Sequence, residues 1–287
     1  MARFRQSRAF RGPIVLLPLL LALLVAASGC SAGSSTGGGD DLLARAREAG
    51  TLRVAMTQAN PPWNFVDEAS RPVGYDVDVA NELARRLNVG KVEFIASNFQ
   101  SFIEGVRANR FDMVISGQTI TPQRREQVDF SRPYQVNGVS IFVRTGGSSI
   151  NGLGDLAGRS VGVSAGTTQE KFAREQIAGA DVRTYQNATL ALTDLGQGRV
   201  DAVLVSRFQG SYLAERNGMP VQPAGELLER EVNGMTFAKG SPRFKQAVDD
   251  ALKRMIDDGT LSEISRRWLG GLDMAAELRQ LPADQNR

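Results

Sequence analysis

Short apolar runs alternate with amphipathic stretches along most of the chain, a pattern typical of α/β proteins. The amphipathic pattern is clearest where Val77, Ala80, Ala84 and Leu87 recur at helical spacing, and we expect Asp76 to cap that helix. This alternation predicts two α/β lobes, each built on a small, mostly parallel sheet flanked by helices. Strands are predicted at residues 52–56, 91–95, 113–115, 139–143, 160–163 and 182–185.

The N-terminus has the pattern of an export signal. Four arginines precede an apolar stretch at 14–27, which is broken by Pro18 and is too short to span a bilayer comfortably. Residues 27–30, Ala-Ser-Gly-Cys, resemble a bacterial lipobox, although leucine is commoner than alanine at its first position. We predict a lipoprotein signal peptide at 1–29, a lipid anchor on Cys30 and a flexible Gly/Ser-rich tether at 30–41. The protein would then be anchored outside the cytoplasmic membrane, in the periplasm or at the cell surface. An incidental cysteine behind a plain secretory signal is the alternative.

Composition excludes several functions. The 287 residues are 42% hydrophobic and 23% charged, as in an ordinary globular protein. Loss of the four N-terminal arginines would leave 30 basic residues against 31 acidic ones, so we expect no nucleic-acid partner. The chain has no histidine, and Cys30 is its single cysteine. The usual His/Cys metal sites and the Ser-His and Cys-His catalytic pairs are therefore excluded, and we expect no metal, no cofactor and no catalytic residue.

A strand, a polar turn and a helix follow one another at 113–131. Thr121 and Pro122 are typical of a helix N-terminus, which places Arg124 in the first helical turn. A cation there opposes the helix dipole at a cost of about 0.3–1 kcal/mol. A solvated helix face is one explanation. The other is an anionic ligand, because helix amides and a guanidinium together can bind a carboxylate.

This segment resembles the signature of the extracellular solute-binding proteins of family 3, the polar amino-acid-binding components of ABC importers. In that family the segment carries SGxTITxxRxxxVDFSxPY. The stretches GYDVDVANELARRL, VGVSAGTT and GRVDAVLVS resemble further motifs of the family, and the likeness covers about residues 42–270. The signature is matched here by Ser116, Gly117, Thr119, Ile120, Thr121, Arg124, Val128, Asp129, Phe130, Ser131, Pro133 and Tyr134.

The resemblance implies a two-lobed periplasmic-binding-protein fold of the second type, with two chain crossings as the hinge. Lobe 1 would comprise 42–135 and 235–287, and lobe 2 would comprise 136–234. A ligand between the lobes would stabilise a closed form, because only that form offers it groups from both lobes. The closed form would signal to an ABC permease in the membrane, and we expect the protein itself to be a monomer.

Carried over residue by residue, the resemblance also implies nine ligand-binding residues. Arg124 would hold a carboxylate, assisted by Thr119 and Thr168. The Gly117 carbonyl, Thr119 and Ser206 would receive an amino group. For Phe99, simple core packing is the alternative to ligand contact. The side-chain pocket would be shaped by Thr57, Asn60, Phe99 and Ser164.

Two neutral residues depart from the family pattern. Ser206 stands where an acid usually pairs with the ligand's α-ammonium, and Thr57 stands where relatives are often acidic. Hydrogen bonds to charged groups contribute about 1.5–3 kcal/mol, against about 1 kcal/mol for neutral ones. Arg124 is cationic, and Arg207 would add a second positive charge if it faced the cleft. We therefore expect anionic or neutral polar amino acids to be favoured over arginine and lysine, with a small carboxylate lacking an α-amine as an alternative.

Two other functions are compatible with this fold. Some relatives are dehydratases acting on prephenate-like substrates, which requires a general acid positioned in the cleft. Ser206 and the lack of histidine count against an enzyme. A receptor's sensor domain is the second alternative, but no apolar span follows Trp268. The remaining stretch at 272–287 is polar and is expected to be frayed.

Overall fold

A computed structural model describes residues 42–282, and the predicted signal peptide, tether and Cys30 lie outside that range. The strands are β1 (Thr51–Met56), β2 (Ala59–Asn60), β3 (Asn64–Val66), β4 (Pro72–Val73), β5 (Lys91–Ala96), β6 (Met113–Thr119), β7 (Asp129–Arg144), β8 (Ser160–Ser164), β9 (Asp181–Tyr185), β10 (Ala202–Ser206) and β11 (Val221–Phe237). The helices are α1 (Leu42–Ala49), α2 (Tyr75–Arg86), α3 (Phe102–Arg107), α4 (Pro122–Gln127), α5 (Thr168–Gln176), α6 (Ala188–Gly196), α7 (Arg207–Arg216), α8 (Pro242–Asp257), α9 (Thr260–Trp268) and α10 (Met274–Arg279). In this range no helix is long and apolar enough to cross a membrane.

Eight strands form one continuous sheet in the order β5-β1-β6-β11-β7-β10-β8-β9. At one end β5, β1 and β6 pair in parallel, and at the other β10, β8 and β9 do the same. Between these ends β11 runs antiparallel to both of its neighbours, β6 and β7. The sheet therefore has two parallel halves joined through an antiparallel centre, which confirms the predicted two-lobed α/β fold.

The two central strands are unusually long and belong to both halves. β7 has 16 residues and β11 has 17, and their pairing runs from Asp129 opposite Phe237 to Arg144 opposite Val221. The register shifts between Ala224 and Glu229 and again on either side of Gly234, so the ladder is irregular at these places. These strands are the two crossings that the resemblance implied. The lobe boundaries themselves, at 135/136 and 234/235, stay a prediction.

Each half has its own apolar core. In the first half α2 and α8 pack on the sheet and α9 packs on these two helices, and the predicted stripe of α2 is buried there together with Phe244 and Leu252. In the second half Phe142 and Leu192 belong to one cluster and Ile141 to another on the sheet's other face. Strand β6 is covered on both sides, since Met113, Val114 and Ile115 are all fully buried.

Asp76 does not cap α2, and that prediction was wrong. Gly74 is the N-cap residue, without a side-chain bond, and Asp76 lies within the first helical turn. The Asp76 carboxylate is fully buried and accepts hydrogen bonds from Asn64 and Tyr134 instead of from its own backbone. Partners that are distant in sequence therefore outcompete the local cap.

The stretch after α9 is more ordered than expected. Residues Met274–Arg279 form α10, which Asp273 caps by accepting a 3.1 Å hydrogen bond from the Ala276 amide. Met274, Ala275 and Leu278 are buried against the first half's core. The prediction of a frayed stretch at 272–287 was therefore wrong for this helix. Three well-spaced apolar residues are enough to dock a short helix on the core. Residues 283–287 lie outside the described range.

Gly105 permits a close contact between α3 and Phe111. A Cβ atom at position 105 would stand 2.0 Å from Cζ of Phe111, whose side chain is buried. We expect Gly105→Ala to lower the free energy of unfolding by about 1–3 kcal/mol, the usual cost of overpacking. Urea denaturation measures this, with Gly154→Ala as the control, since nothing lies within 4 Å of a Cβ atom there. Equal stability of the two variants would contradict the packing argument.

Candidate functional site

A cavity lies where β1, β6, β8 and β10 end. Its volume is about 90 Å³, room for several water molecules at about 15 Å³ each. The carboxyl ends of parallel strands are the usual place for ligands in open α/β sheets. The hydroxyls of Thr119 and Thr168, which come from opposite halves of the sheet, are 3.5 Å apart. Eight of the nine predicted ligand-binding residues line the cavity: Thr57, Asn60, Phe99, Gly117, Thr119, Ser164, Thr168 and Ser206.

Arg124, the ninth, lies beside the cavity instead of lining it. Thr121 caps α4 as predicted, accepting a 3.2 Å hydrogen bond from the Arg124 amide. The guanidinium donates from Nη1 to the Thr119 carbonyl at 2.9 Å and from Nη2 to the Gly166 carbonyl at 3.1 Å. Its Cζ atom is 5.6 Å from the centre of the Phe99 ring. Burial lowers the pKa of Arg124 from its ordinary value, against an opposing effect of Glu231. The guanidinium thus joins the two halves at the edge of the cavity.

Glu231 is a cavity residue that the sequence analysis missed. It lies on β11 and is only 4% exposed. Its carboxylate accepts hydrogen bonds from Thr168, from Thr119 at 3.3 Å and from Gln169 at 2.8 Å. Burial and the charge of Glu229 raise the pKa of Glu231, while the bonds from Thr168 and Thr119 and the charge of Arg124 lower it. No local signal marked it, because the neighbouring acids of this polar stretch are exposed and the burial of residues 231–237 does not alternate.

Ser206 is buried, and its hydroxyl is already hydrogen-bonded within the protein. Its hydroxyl is hydrogen-bonded to the Asn137 side chain, and as N-cap of α7 it also accepts from the Gln209 amide at 3.5 Å. Gln209 in turn donates to the Asn60 side chain from the other half. Ser206 therefore offers the cavity a neutral hydroxyl whose bonding capacity is largely used.

A buried polar network lies behind the binding loops. The Asn64 side chain accepts from the Thr57 hydroxyl at 2.8 Å and donates to Asp76 at 2.7 Å. The Tyr134 hydroxyl donates to Asp76 at 2.9 Å and accepts from the Gly117 amide at the same distance. Burial raises the pKa of Asp76 to about 7, although the hydrogen bonds from Asn64 and Tyr134 act to lower it. Thr57 and Gly117, two residues of the cavity wall, are thus positioned through the carboxyl group of Asp76.

Arg207 does not belong to the cavity. Its Nε atom donates to the Ser140 hydroxyl at 2.9 Å, and Nη2 donates to the Gly225 carbonyl at 2.8 Å. These bonds turn the side chain towards β7 and the β11 strand, so the second cleft cation that we considered in the sequence is not there. Between residues 42 and 282 there is also no group of three or more acidic, histidine or cysteine side chains that could hold a metal ion.

Two lobes sharing a pair of long strands, with a polar cavity lined from both lobes, define a solute-binding protein. The chain belongs to the bacterial extracellular solute-binding proteins of family 3, whose pattern matches residues 52–271. A curated relative is the L-cystine-binding protein TcyJ of Escherichia coli strain K12. It is 33% identical over 232 residues, which cover 80% of this chain and 87% of TcyJ.

Solved structures of binding proteins show the same fold. An ancestral arginine-binding protein bound to arginine is 38% identical with a TM-score of 0.72, and the match covers 77% of this chain and 99% of that one. The ancestral amino acid-binding protein AncCDT-1, described as a precursor of cyclohexadienyl dehydratase, is 33% identical with a TM-score of 0.74, covering 79% and 99%. These relatives are binding proteins for small amino-acid ligands.

Proposed function

We propose that this protein captures a polar amino acid in the cavity between its lobes and delivers it to an ABC permease. The observation that carries this proposal is the gathering of eight separately predicted residues around one cavity, with Arg124 at its edge. They come from five different segments of the chain, so their meeting is not a consequence of sequence proximity.

In the proposed complex Arg124 holds the ligand's carboxylate. Its guanidinium is oriented by the Thr119 and Gly166 carbonyls, one from each lobe. A planar guanidinium binds a carboxylate through paired charge-assisted hydrogen bonds. The carboxylate would thus be bound at the line where the two lobes meet, and binding would favour the closed arrangement.

The ligand's side chain would face an uncharged wall. Thr57, Asn60, Phe99 and Ser164 are the cavity residues assigned to it, and none of them is ionisable. A neutral polar side chain fits such a wall better than a guanidinium or ammonium group, which would be desolvated without an acidic partner there. The preference over arginine and lysine therefore stays part of the proposal.

We also propose that the protein is anchored by lipid outside the cytoplasmic membrane. The family is extracellular, and the lipobox-like residues 27–30 support a lipid anchor on Cys30. A tether at 30–41 would hold a monomeric binding domain close enough to the membrane to meet its permease.

We propose that the protein is not an enzyme. A dehydratase needs a general acid in the cleft, and Glu231 is the cavity's one candidate among the residues described. Thr119 and Thr168 donate to one oxygen of its carboxylate and Gln169 donates to the other, so both oxygens are already bonded to donors of the protein itself. No turnover is expected when prephenate is followed by absorbance, and measurable turnover would reinstate the enzyme hypothesis.

A thermal-shift panel tests the proposed function. The purified protein is heated with each of the twenty common L-amino acids, L-cystine, their D-enantiomers and small carboxylates. A ligand at 100 times its dissociation constant adds about 2.7 kcal/mol of stability, which corresponds to about 5–10 °C in Tm for a domain of this size. We expect at least one polar L-amino acid to produce this shift, and its D-enantiomer to produce much less. No shift with any amino acid at about 10 mM, which is about tenfold above a dissociation constant of about 1 mM, would refute the proposal.

A further inference from the structure

Glu231 is the sole charged side chain among the described residues that line the cavity. A carboxylate that is only 4% exposed has lost most of its hydration, which is costly unless a positive group compensates. Arg124 is a cation whose charge acts on Glu231, but its guanidinium donates to backbone carbonyls at the cavity's edge. The cavity itself is therefore negative, and its charge favours a ligand that brings a cation.

Ser206 cannot supply the negative charge that an ammonium group needs. Its hydroxyl is neutral, and it is bonded to Asn137 and to the first turn of α7. Without Glu231, an amino acid bound here would leave its α-ammonium buried with only neutral acceptors. A carboxylate partner makes the stronger, charge-assisted hydrogen bond.

The threonines around Glu231 face the ligand as acceptors. The hydroxyls of Thr119 and Thr168 both donate to Oε1 of Glu231. Each hydroxyl has a single proton, and only its lone pairs remain for a ligand. Oxygen lone pairs beside a carboxylate suit an N–H donor and repel a second carboxylate. The carboxylate-binding role predicted for Thr119 and Thr168 therefore fits this geometry less well than binding of an ammonium group.

We propose that Glu231 receives the α-ammonium group of the bound amino acid and takes over the role of the acid that Ser206 replaces. This inference rests on the proposed function. In the complex the charges alternate from Arg124, through the ligand's carboxylate and ammonium, to Glu231. Because β11 is shared by both lobes, Glu231 holds the ammonium from the hinge side, whereas position 206 would hold it from lobe 2 alone.

The test compares ligands that differ only in the amino group. The probes are each amino acid that raises Tm in the panel and the 2-hydroxy acid of the same side chain, such as L-malate for L-aspartate. Affinities are measured by calorimetry for the wild type, for Glu231→Gln and for Glu226→Gln. Glu226 is an exposed acid on the same strand, so its variant makes the matched change in net charge outside the cavity. Circular dichroism checks that each variant is folded.

We expect the wild type to bind the amino acid about 30-fold or more tightly than the hydroxy acid, as truncation of buried charge pairs indicates. Glu231→Gln should bind the amino acid about 30-fold more weakly and the hydroxy acid within about threefold of the wild type. Glu226→Gln should behave like the wild type. A Glu231→Gln variant that keeps the preference for the amino group, or loses both ligands equally, would overturn the inference and leave the proposed function intact. If no amino acid binds the wild type, the proposed function fails and this inference fails with it.

Discussion

An Arg124→Ala variant is expected to bind its amino acid at least about 30-fold more weakly than the wild type. Truncating one partner of a buried, hydrogen-bonded charge pair costs about 2–5 kcal/mol, and each 1.4 kcal/mol is tenfold in affinity. The variant also loses the 3.1 Å bond from Nη2 to the Gly166 carbonyl, which connects the two lobes. Both losses act in the same direction, since the ligand is held by a closed arrangement. Calorimetry with the strongest ligand of the thermal-shift panel measures the effect.

Two further variants separate charge from geometry. Arg124→Lys keeps the positive charge but loses the planar fork, so it should recover only part of the affinity. Arg125→Ala removes the same charge from an exposed neighbouring side chain and should bind like the wild type. Undiminished ligand binding by a folded Arg124→Ala variant would refute the proposed role of Arg124 in holding the ligand's carboxylate.

The second large effect concerns stability and pH. The folded state holds the Asp76 proton up to about pH 7, whereas an unfolded chain releases it near pH 3.9. Between these values the folded state binds more protons, so Asp76 makes the free energy of unfolding fall as pH rises. The total loss approaches about 4 kcal/mol by pH 8. Asp76→Asn imitates the protonated carboxyl group, so it should equal the wild type at pH 4 and exceed it by up to this amount at pH 8.

Urea denaturation from pH 4 to pH 8 measures this difference. Asp250→Asn, which makes the same chemical change on an exposed face of α8, serves as the control and should follow the wild type throughout. A wild type whose stability relative to Asp76→Asn rises with pH would show that Asp76 is ionised in the folded protein. Asp76 accepts hydrogen bonds from Asn64, which holds Thr57, and from Tyr134, which holds Gly117. The ligand affinity of Asp76→Asn therefore also reports how firmly these two cavity residues are held.

Local patterns in the sequence were sufficient where a residue's environment is set by its neighbours. The apolar residues of β6 and the stripe on α2 are buried as predicted, because periodicity alone decides which face meets the sheet. Thr121 and Pro122 start α4 as expected, since capping involves residues only three positions apart. The family's motifs then placed eight residues around one cavity without any knowledge of the tertiary structure.

The sequence was insufficient where distant partners decide. Asp76 has the composition of a helix cap, but Asn64 and Tyr134 bind it from other segments. Arg207 follows a cavity residue directly, yet Ser140 and Gly225 hold its side chain elsewhere. Glu231 stands in a polar stretch of β11, where neighbouring acids are exposed, and only the folded sheet shows that it faces the cavity.

The pairing of β7 with β11 separates the tightness of ligand binding from the choice of ligand, two properties that a binding site usually combines. Most residues of these strands lie outside the cavity, yet the strands belong to both halves of the sheet, so we expect them to set how easily one lobe bends towards the other. Observed affinity equals intrinsic affinity multiplied by the fraction of molecules that is competent to bind. Substitutions near the register shifts on either side of Gly234, at the predicted lobe boundary, are therefore expected to tune how tightly every ligand is retained while the ranking of ligands stays the same. Uptake capacity and chemical selectivity can thus evolve on different parts of this chain.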